Sequence, residues 1–366
     1  MKVAFYFGAL NRGGAETLAL DILTKCRSLN FETVCLYRND GVLSKDFSNT
    51  GTHMLRVARK RSWTVYLWHL CRAIRKNEIN IIHAQTSLNA ILAVICSWFT
   101  GVKVVTTFHG FSFVNSPSFL RKIILKGSDR IIFVSEHLRD TFLKKGDFGC
   151  SDKCHVVYNG INFEKFALPV PGYRENGCLK MCMVGSFGEG RNHMLVCRFL
   201  QLLKSEGVDF HFTFIGAARQ KEMNLYNECV EYCNSHNLAG YVTFAGLCNN
   251  VPELLQDMDA FVYSTRHDSF GIAVIEAIAA GVPTFVNDWC VMNEITQGGR
   301  WATLYKSDDE LSLLQVFKEF ISDRKGFKTR ALTSSKEVRD TYSIKRHIDS
   351  LTKVYSEILN PDTKAN

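Results

Sequence analysis

Six prolines in 366 residues, and no stretch of low complexity, leave little of this chain for extended or disordered segments. No apolar run approaches the ~20 residues that a membrane span needs. The most apolar stretch, residues 90–100, is about half that length and reads as a buried helix. The opening MKVAFYFGALNRGGAE is apolar only over residues 3–10, with no cleavage-site pattern behind it, so it reads as a strand and not as a signal peptide. After that strand there is no G-x-G-x-x-G: the chain offers Gly8, Gly13 and Gly14. A nicotinamide-dependent dehydrogenase with NAD on one Rossmann lobe is therefore only a minor alternative. A basic nucleic-acid-binding protein is another minor alternative, because RNP, zinc-finger and helix-turn-helix signatures are missing and no nucleic acid partner is expected. Cysteine is not scarce, but the 13 are odd in number, scattered, and mostly set in apolar runs such as those of Cys35, Cys96 and Cys182. That usage suits reduced thiols in a cytosol. The C-x3-C pairs (Cys150/Cys154, Cys178/Cys182, Cys229/Cys233) lack the tighter spacings or the histidine pair of structural zinc sites.

What is present points to two α/β domains. The length suits two units of ~150–200 residues, and 46% hydrophobic with 22% charged residues is an ordinary soluble composition. Charge is uneven: residues 1–165 hold 23 Lys/Arg against 12 Asp/Glu, while the remainder is slightly acidic. The basic half is expected to face something anionic, such as a membrane surface or a lipid diphosphate. Short β-branched or aromatic runs alternate with turns and amphipathic helical stretches, the pattern of βαβ units in a parallel sheet. The first half offers strands at 3–7, 33–37, 79–83, 103–108, 130–135 and 155–158. The second offers 180–184, 211–215, 242–245, 260–263 and 284–287. We expect a Rossmann-like domain over 1–165, a linker over 166–177, a second Rossmann-like domain over 178–343, and a closing helix over 344–366 that packs back toward the first lobe. Ligands of such folds bind at the carboxyl ends of the strands, which makes a cleft between the lobes the expected site.

The most specific stretch is DSFGIAVIEAIAAGVP, from Asp268 to Pro283. Gly271 opens a helix whose free N–H groups point into the preceding turn, and Asp268 stands just before that end. Glu276 is a carboxylate among apolar residues, costly there unless hydrogen-bonded; an internal salt bridge is the alternative to a binding role. Gly13 and Gly14 follow a strand and precede a helix, so backbone can approach a diphosphate closely, though a plain tight turn would need the same residues. Arg191 opens a helix at the start of the second lobe, and His109 ends an apolar strand in the first. Taken singly, a surface arginine and a loop histidine are the ordinary readings of that pair.

With these residues in order, the chain resembles the GT-B fold glycosyltransferases of family 4 over nearly its whole length. The 268–283 stretch looks like their E-x7-E region. The supporting motifs are Gly13-Gly14-Ala15-Glu16, Thr107-Phe108-His109-Gly110, Ser135, Asn159-Gly160-Ile161-Asn162, the 185–193 stretch GSFGEGRNH, Ile215-Gly216 and Phe244-Ala245-Gly246. The resemblance implies retaining transfer of a sugar from a nucleoside diphosphate sugar, most often UDP-linked, to a glycan or lipid-linked acceptor, as in cell-surface polysaccharide or lipopolysaccharide synthesis. Neither cofactor nor metal is implied. It places Glu276 on the ribose hydroxyls, Asp268 on the donor sugar with backbone N–H groups of Phe270, Gly271 and Ile272, Arg191 on the diphosphate, and His109 against the donor sugar. Glu16 would lie near the acceptor. Two positions depart from the family pattern: Ser186 stands in the donor site where an arginine is common, and Asp268 is one methylene shorter than the usual glutamate.

Asp257-Met258-Asp259 is a D-x-D, the metal signature of the other large glycosyltransferase fold, but here it reads as helix-end and strand-start charges. Residues 59–76 form a basic, aromatic helix with Trp63, Tyr66, Leu67, Leu70 and Ile74 on one face. That face either packs on the sheet or lies on an anionic membrane, making the protein cytoplasmic and peripheral at the inner face of the membrane.

Overall fold

The computed structural model describes residues 1–25, 29–58, 62–113, 116–144, 151–167, 169 and 177–359. Most of the expected linker lies outside these, as do Arg59, Lys60 and Arg61 of the basic stretch and Cys150. The chain divides into two compact units: Met1–Ile161 with Ile344–Asn366, and Asn162–Ser343.

The first unit is a seven-stranded parallel sheet of β1 (Lys2–Ala9), β2 (Glu32–Asn39), β3 (His53–Arg56), β4 (Ile81–Ala84), β5 (Lys103–Phe108), β6 (Arg130–Phe133) and β7 (Cys154–Val156). Its order is β3-β2-β1-β4-β5-β6-β7. The strand sequence reverses direction between β1 and β4, so the topological switch point lies at their carboxyl ends. Val3 pairs with Thr33 on one side and Ile81 on the other. Central strands such as IIHA are buried along their whole length, which explains their continuous apolar run. The helices are α1 (Gly14–Thr24), α2 (Ser44–Asn49), α3 (Trp63–Lys76), α4 (Ser87–Thr100), α5 (Ser118–Gly127) and α6 (Glu136–Lys144).

The second unit is a six-stranded parallel sheet of β8 (Leu179–Val184), β9 (Phe210–Ile215), β10 (Val242–Gly246), β11 (Ala260–Tyr263), β12 (Thr284–Asn287) and β13 (Thr303–Tyr305), in the order β10-β9-β8-β11-β12-β13. Its switch point falls between β8 and β11. Around it stand α7 (His193–Ser205), α8 (Met223–Ser235), α9 (Val251–Gln256), α10 (Ile272–Ala279), α11 (Cys290–Ile295), α12 (Glu310–Ser322) and α13 (Arg324–Thr341).

The chain then returns to the first unit as α14 (Ile344–Leu359). Ile344, Leu351, Val354, Tyr355 and Ile358 recur at helical spacing and join Val3, Phe5, Ile22 and Phe31 in one core cluster. Leu351 is 1% exposed, so truncation to alanine there costs about 2–5 kcal/mol.

Two strands stand beyond those read from sequence. β3 and β13 are four and three residues long, sit at sheet edges and are mostly half-buried, so neither carries the apolar run of a central strand. On α3, Tyr66, Leu70 and Ile74 face the sheet, and the Tyr66 hydroxyl meets that of Tyr6 at 2.6 Å, which satisfies both buried phenols. Trp63 does not share that burial: with Val65 and Trp68 it stays on the surface. Among the described residues, no helix is long and apolar enough to cross a membrane.

Candidate active site

In the second unit, the loops leaving β8 and β11 meet at the switch point. The turn after β8 carries Gly185, Ser186 and Arg191, and the turn after β11 carries residues 264–271. Backbone and side chain clip them together. Asn192 N–H donates to the Ser264 carbonyl at 3.0 Å, and Arg266 N–H and Thr265 Oγ1 both donate to the Gly190 carbonyl, at 2.9 and 2.8 Å. A Cβ at Gly190 would stand 2.8 Å from the His267 carbonyl oxygen, so only glycine permits this approach. Buried Asn287 fixes the second loop from beneath: its Oδ1 accepts from Thr265 N–H at 2.9 Å and its Nδ2 donates to the Thr265 carbonyl at 2.7 Å.

On this platform Tyr263, the last residue of β11, sits between two charges. Arg191 Nε donates to its hydroxyl at 2.8 Å, and the hydroxyl donates to Asp268 Oδ2 at 2.6 Å. Burial drives the Tyr263 phenol far up from its ordinary pKa, so it remains a donor at every physiological pH. Arg191 also donates through Nη1 to Ser186 Oγ at 3.3 Å, and its Nη2 lies 3.8 Å from Asp268 Oδ2. Tyr263, opposed by burial and aided by Asp268, raises the guanidinium above its usual range. The result is a fixed cation and a fixed carboxylate, 29% and 15% exposed, held in register by one phenol. Behind them His193 stacks on Phe187 at 3.9 Å; burial, and then Arg191, lower it to about 3, so it is neutral.

Gly271 caps α10 at φ +89°, the left-handed region, where a Cβ would meet Met292 Cε at 2.7 Å. Phe270 beside it is buried with its ring edge-on to Tyr342, so only its backbone is at hand for a ligand. Ile272 and Glu276, at i and i+4, lie on the half-buried face of α10, while Val274, Ile275 and Ala277 face the core. Glu276 stands about 7.5 Å along the axis from Gly271.

In the first unit, the carboxyl end of β1 runs into Gly13, the N-cap of α1. A Cβ on Gly14 would meet nothing within 4 Å, whereas one on Gly13 would strike Glu16 Oε2 at 2.5 Å. Glu16 therefore folds its carboxylate back over the helix N-terminus, and burial raises its pKa. From the ends of β4 and β5 come His83, Gln85, Thr107 and His109. His109 Nε2 and Gln85 Oε1 are 2.7 Å apart, and since the amide oxygen can only accept, Nε2 carries the proton. Burial, then His347, lower His109 to about 4, so Nδ1 is an acceptor at neutral pH. Buried His83 bridges Thr107 and Tyr355, at 2.6 Å each, and so ties α14 to this end of the sheet.

Residues 12–165 match the model for glycosyltransferase family 4, and residues 174–336 that for glycosyl transferases group 1. The chain belongs to glycosyltransferase family 4. It is 24% identical over 313 residues to the putative glycosyltransferase EpsF of Bacillus subtilis, covering 78% of this chain and 79% of that one. It is 21% identical over 310 residues to an Escherichia coli enzyme named UDP-Gal:alpha-D-GlcNAc-diphosphoundecaprenol alpha-1,3-galactosyltransferase, covering 79% and 78%. In fold it is similar to Anabaena Alr3699/HepE, solved in complex with UDP, with TM-score 0.85, 16% identity, and coverage of 98% and 100%. The protein is thus a glycosyltransferase with two GT-B-type parallel-sheet lobes.

In this family 4 chain the D-x-D pair has other employment: Asp257 pairs with Lys180 Nζ at 2.5 Å, and Asp259 accepts from Lys180 N–H at 2.9 Å. Two residues of this candidate site lie outside the sequence reading. Tyr263 ends the strand expected at 260–263, and a hydroxyl closing an apolar strand five residues before Asp268 is a visible signal. Gln85 had none beyond its place after β4, because its partner His109 is 24 residues away.

Proposed function

We propose that this glycosyltransferase is a retaining, metal-independent enzyme that moves a sugar from a UDP-sugar to a lipid-linked glycan acceptor in cell-surface polysaccharide or lipopolysaccharide synthesis, working in the cytoplasm at the membrane. The observation that carries the reading is the Arg191–Tyr263–Asp268 cluster: a cation for a diphosphate beside a carboxylate for a sugar hydroxyl, both prepositioned. The names of the E. coli relative, with its UDP-galactose donor and diphosphoundecaprenol acceptor, and of the UDP-bound Anabaena protein support the donor and acceptor classes.

In this reading Glu276 accepts hydrogen bonds from the ribose diol, and backbone N–H groups at Gly271 and Ile272 complete the donor pocket. Asp268 orients the donor sugar, and neutral His109 accepts from one of its hydroxyls. As the bond from the anomeric carbon to the diphosphate oxygen breaks, charge grows on the leaving group and Arg191 stabilises it, with Ser186 as a neutral partner. The acceptor hydroxyl forms its bond on the same face of the sugar, and its proton passes to the departing phosphate oxygen. Glu16 stands on the acceptor side. The Arg191 guanidinium, anchored on Ser186, supplies the charge that a metal supplies elsewhere, and both D-x-D carboxylates are engaged by Lys180. Membrane association rests on the basic first half and on the exposed Trp63 and Trp68 of α3.

The test is release of nucleoside diphosphate from a panel of UDP- and GDP-sugars in EDTA with a diphosphoundecaprenol-linked acceptor, followed by NMR of the product anomer. Turnover with one UDP-sugar and an α-anomer from an α-donor is expected. Dependence on added metal, an inverted product, or turnover only with GDP-sugars would overturn the reading.

A further inference from the structure

A groove of about 820 Å³ runs along the outer edge of the first unit, between β3 and α3. Its walls carry His53 and Arg56 from the strand and His69, Arg72 and Lys76 from the helix. Among the described residues no aspartate or glutamate lines it, and its lining includes Leu55, Val57 and Ala73. Arg56 is paired with Asp40 at 2.7 Å on a strongly exposed bridge, which leaves Arg72 and Lys76 as the main charges. Nothing in the transfer reaction uses this place: it lies at the sheet edge, two strands from the switch point between β1 and β4. Charge of one sign over an apolar floor, at this size, fits phosphate esters attached to hydrocarbon.

Surrounding side chains choose among such ligands. Trp68, on the helix that forms one wall, is 58% exposed; Arg72 covers its ring at 5.6 Å and His69 touches it at 4.8 Å between centroids. In the last turn of α3, Arg75 donates to the carbonyl of Phe99 on α4, and Phe99 and its neighbour Trp98 are 65% and 68% exposed. Exposed indoles beside cations are the surface that seats at the level of lipid headgroups. The geometry points to a headgroup site: the β3–α3 groove takes the phosphate of an anionic phospholipid while Trp68 enters the interface. This rests on the membrane association proposed above and assigns it a place.

The test is sedimentation of the full chain with vesicles of phosphatidylglycerol in phosphatidylcholine, against vesicles of phosphatidylcholine alone. Each Lys or Arg near an anionic surface is worth about fivefold in partition, so Arg72→Gln with Lys76→Gln is expected to weaken binding about thirtyfold. The swap Arg72→Lys with Lys76→Arg is expected to retain it, and UDP binding by the glutamine variant, equal to wild type, shows that it is folded. If wild type ignores phosphatidylglycerol vesicles, membrane association itself fails and the groove with it. If wild type binds and the glutamine variant binds equally, or if neutral vesicles bind as well, the groove alone is refuted. Release from the vesicles by millimolar inorganic phosphate would also refute it, since the site would then be one for free phosphate.

Discussion

Replacing Tyr263 by phenylalanine removes one oxygen from a fully buried ring and keeps its packing. That oxygen accepts from Arg191 and donates to Asp268, each a hydrogen bond to a charged group and worth about 1.5–3 kcal/mol. Because Arg191 and Asp268 retain some solvent contact, the lower figure applies to each. Without the phenol nothing holds the 3.8 Å between Arg191 and Asp268 apart, and the two close into a direct pair that withdraws the cation from the diphosphate. A loss of about 1.5 kcal/mol in UDP binding follows, about tenfold in Kd, measured by titration calorimetry. The cause can be isolated by a double-mutant cycle: adding Asp268→Asn to Tyr263→Phe frees Arg191 and recovers part of the lost affinity. Unchanged UDP affinity in Tyr263→Phe, or a double variant that simply adds the two losses, would refute the reasoning.

Other consequences are open to similar checks. Arg191→Ala and Glu276→Ala should each abolish transfer without unfolding, read by UDP release and by circular dichroism; near-wild-type turnover in either would remove that residue from the site. Gln85→Glu places a carboxylate against His109 and should raise its pKa, moving the acid limb of the rate–pH profile upward, whereas Gln85→Leu should not move it. Gly271→Ala meets both a left-handed backbone and Met292, and should cost about 1–3 kcal/mol in urea melts while weakening UDP binding. His83 and His347 are buried and held neutral, lowered to about 3 and about 4 by burial first. The unfolded chain binds their protons below about pH 6.5, so stability is complete above that value and falls as pH drops toward 4. From pH 7 to 5 each should cost about 2 kcal/mol, and a flat stability profile over that range would contradict the burial argument.

The fold was legible because each central strand is a short apolar run bounded by turns, and because the motifs recur in chain order at strand ends. Strand edges were not: the half-buried HMLR of β3 carries no period strong enough to separate it from a loop. The candidate site was legible where charge stands out, as at Asp268, Glu276 and Arg191 beside glycines. Tyr263 was hidden because a phenol at the end of an apolar run reads as core, and it is the fold that turns its hydroxyl between two charges 72 and five residues away. The Gln85–His109 and His83–Tyr355 pairs join residues 24 and 272 positions apart, distances at which sequence spacing carries no information. Trp63 shares a helical stripe with Tyr66 and Leu70 yet stays on the surface as the first residue of α3.

The decisive measurement on the donor site is titration of the purified chain with UDP in EDTA, alongside GDP and NAD. A single UDP site per chain is expected, surviving metal removal and lost in Arg191→Ala; no UDP binding, or binding that Arg191→Ala leaves intact, would overturn the assignment of the donor site.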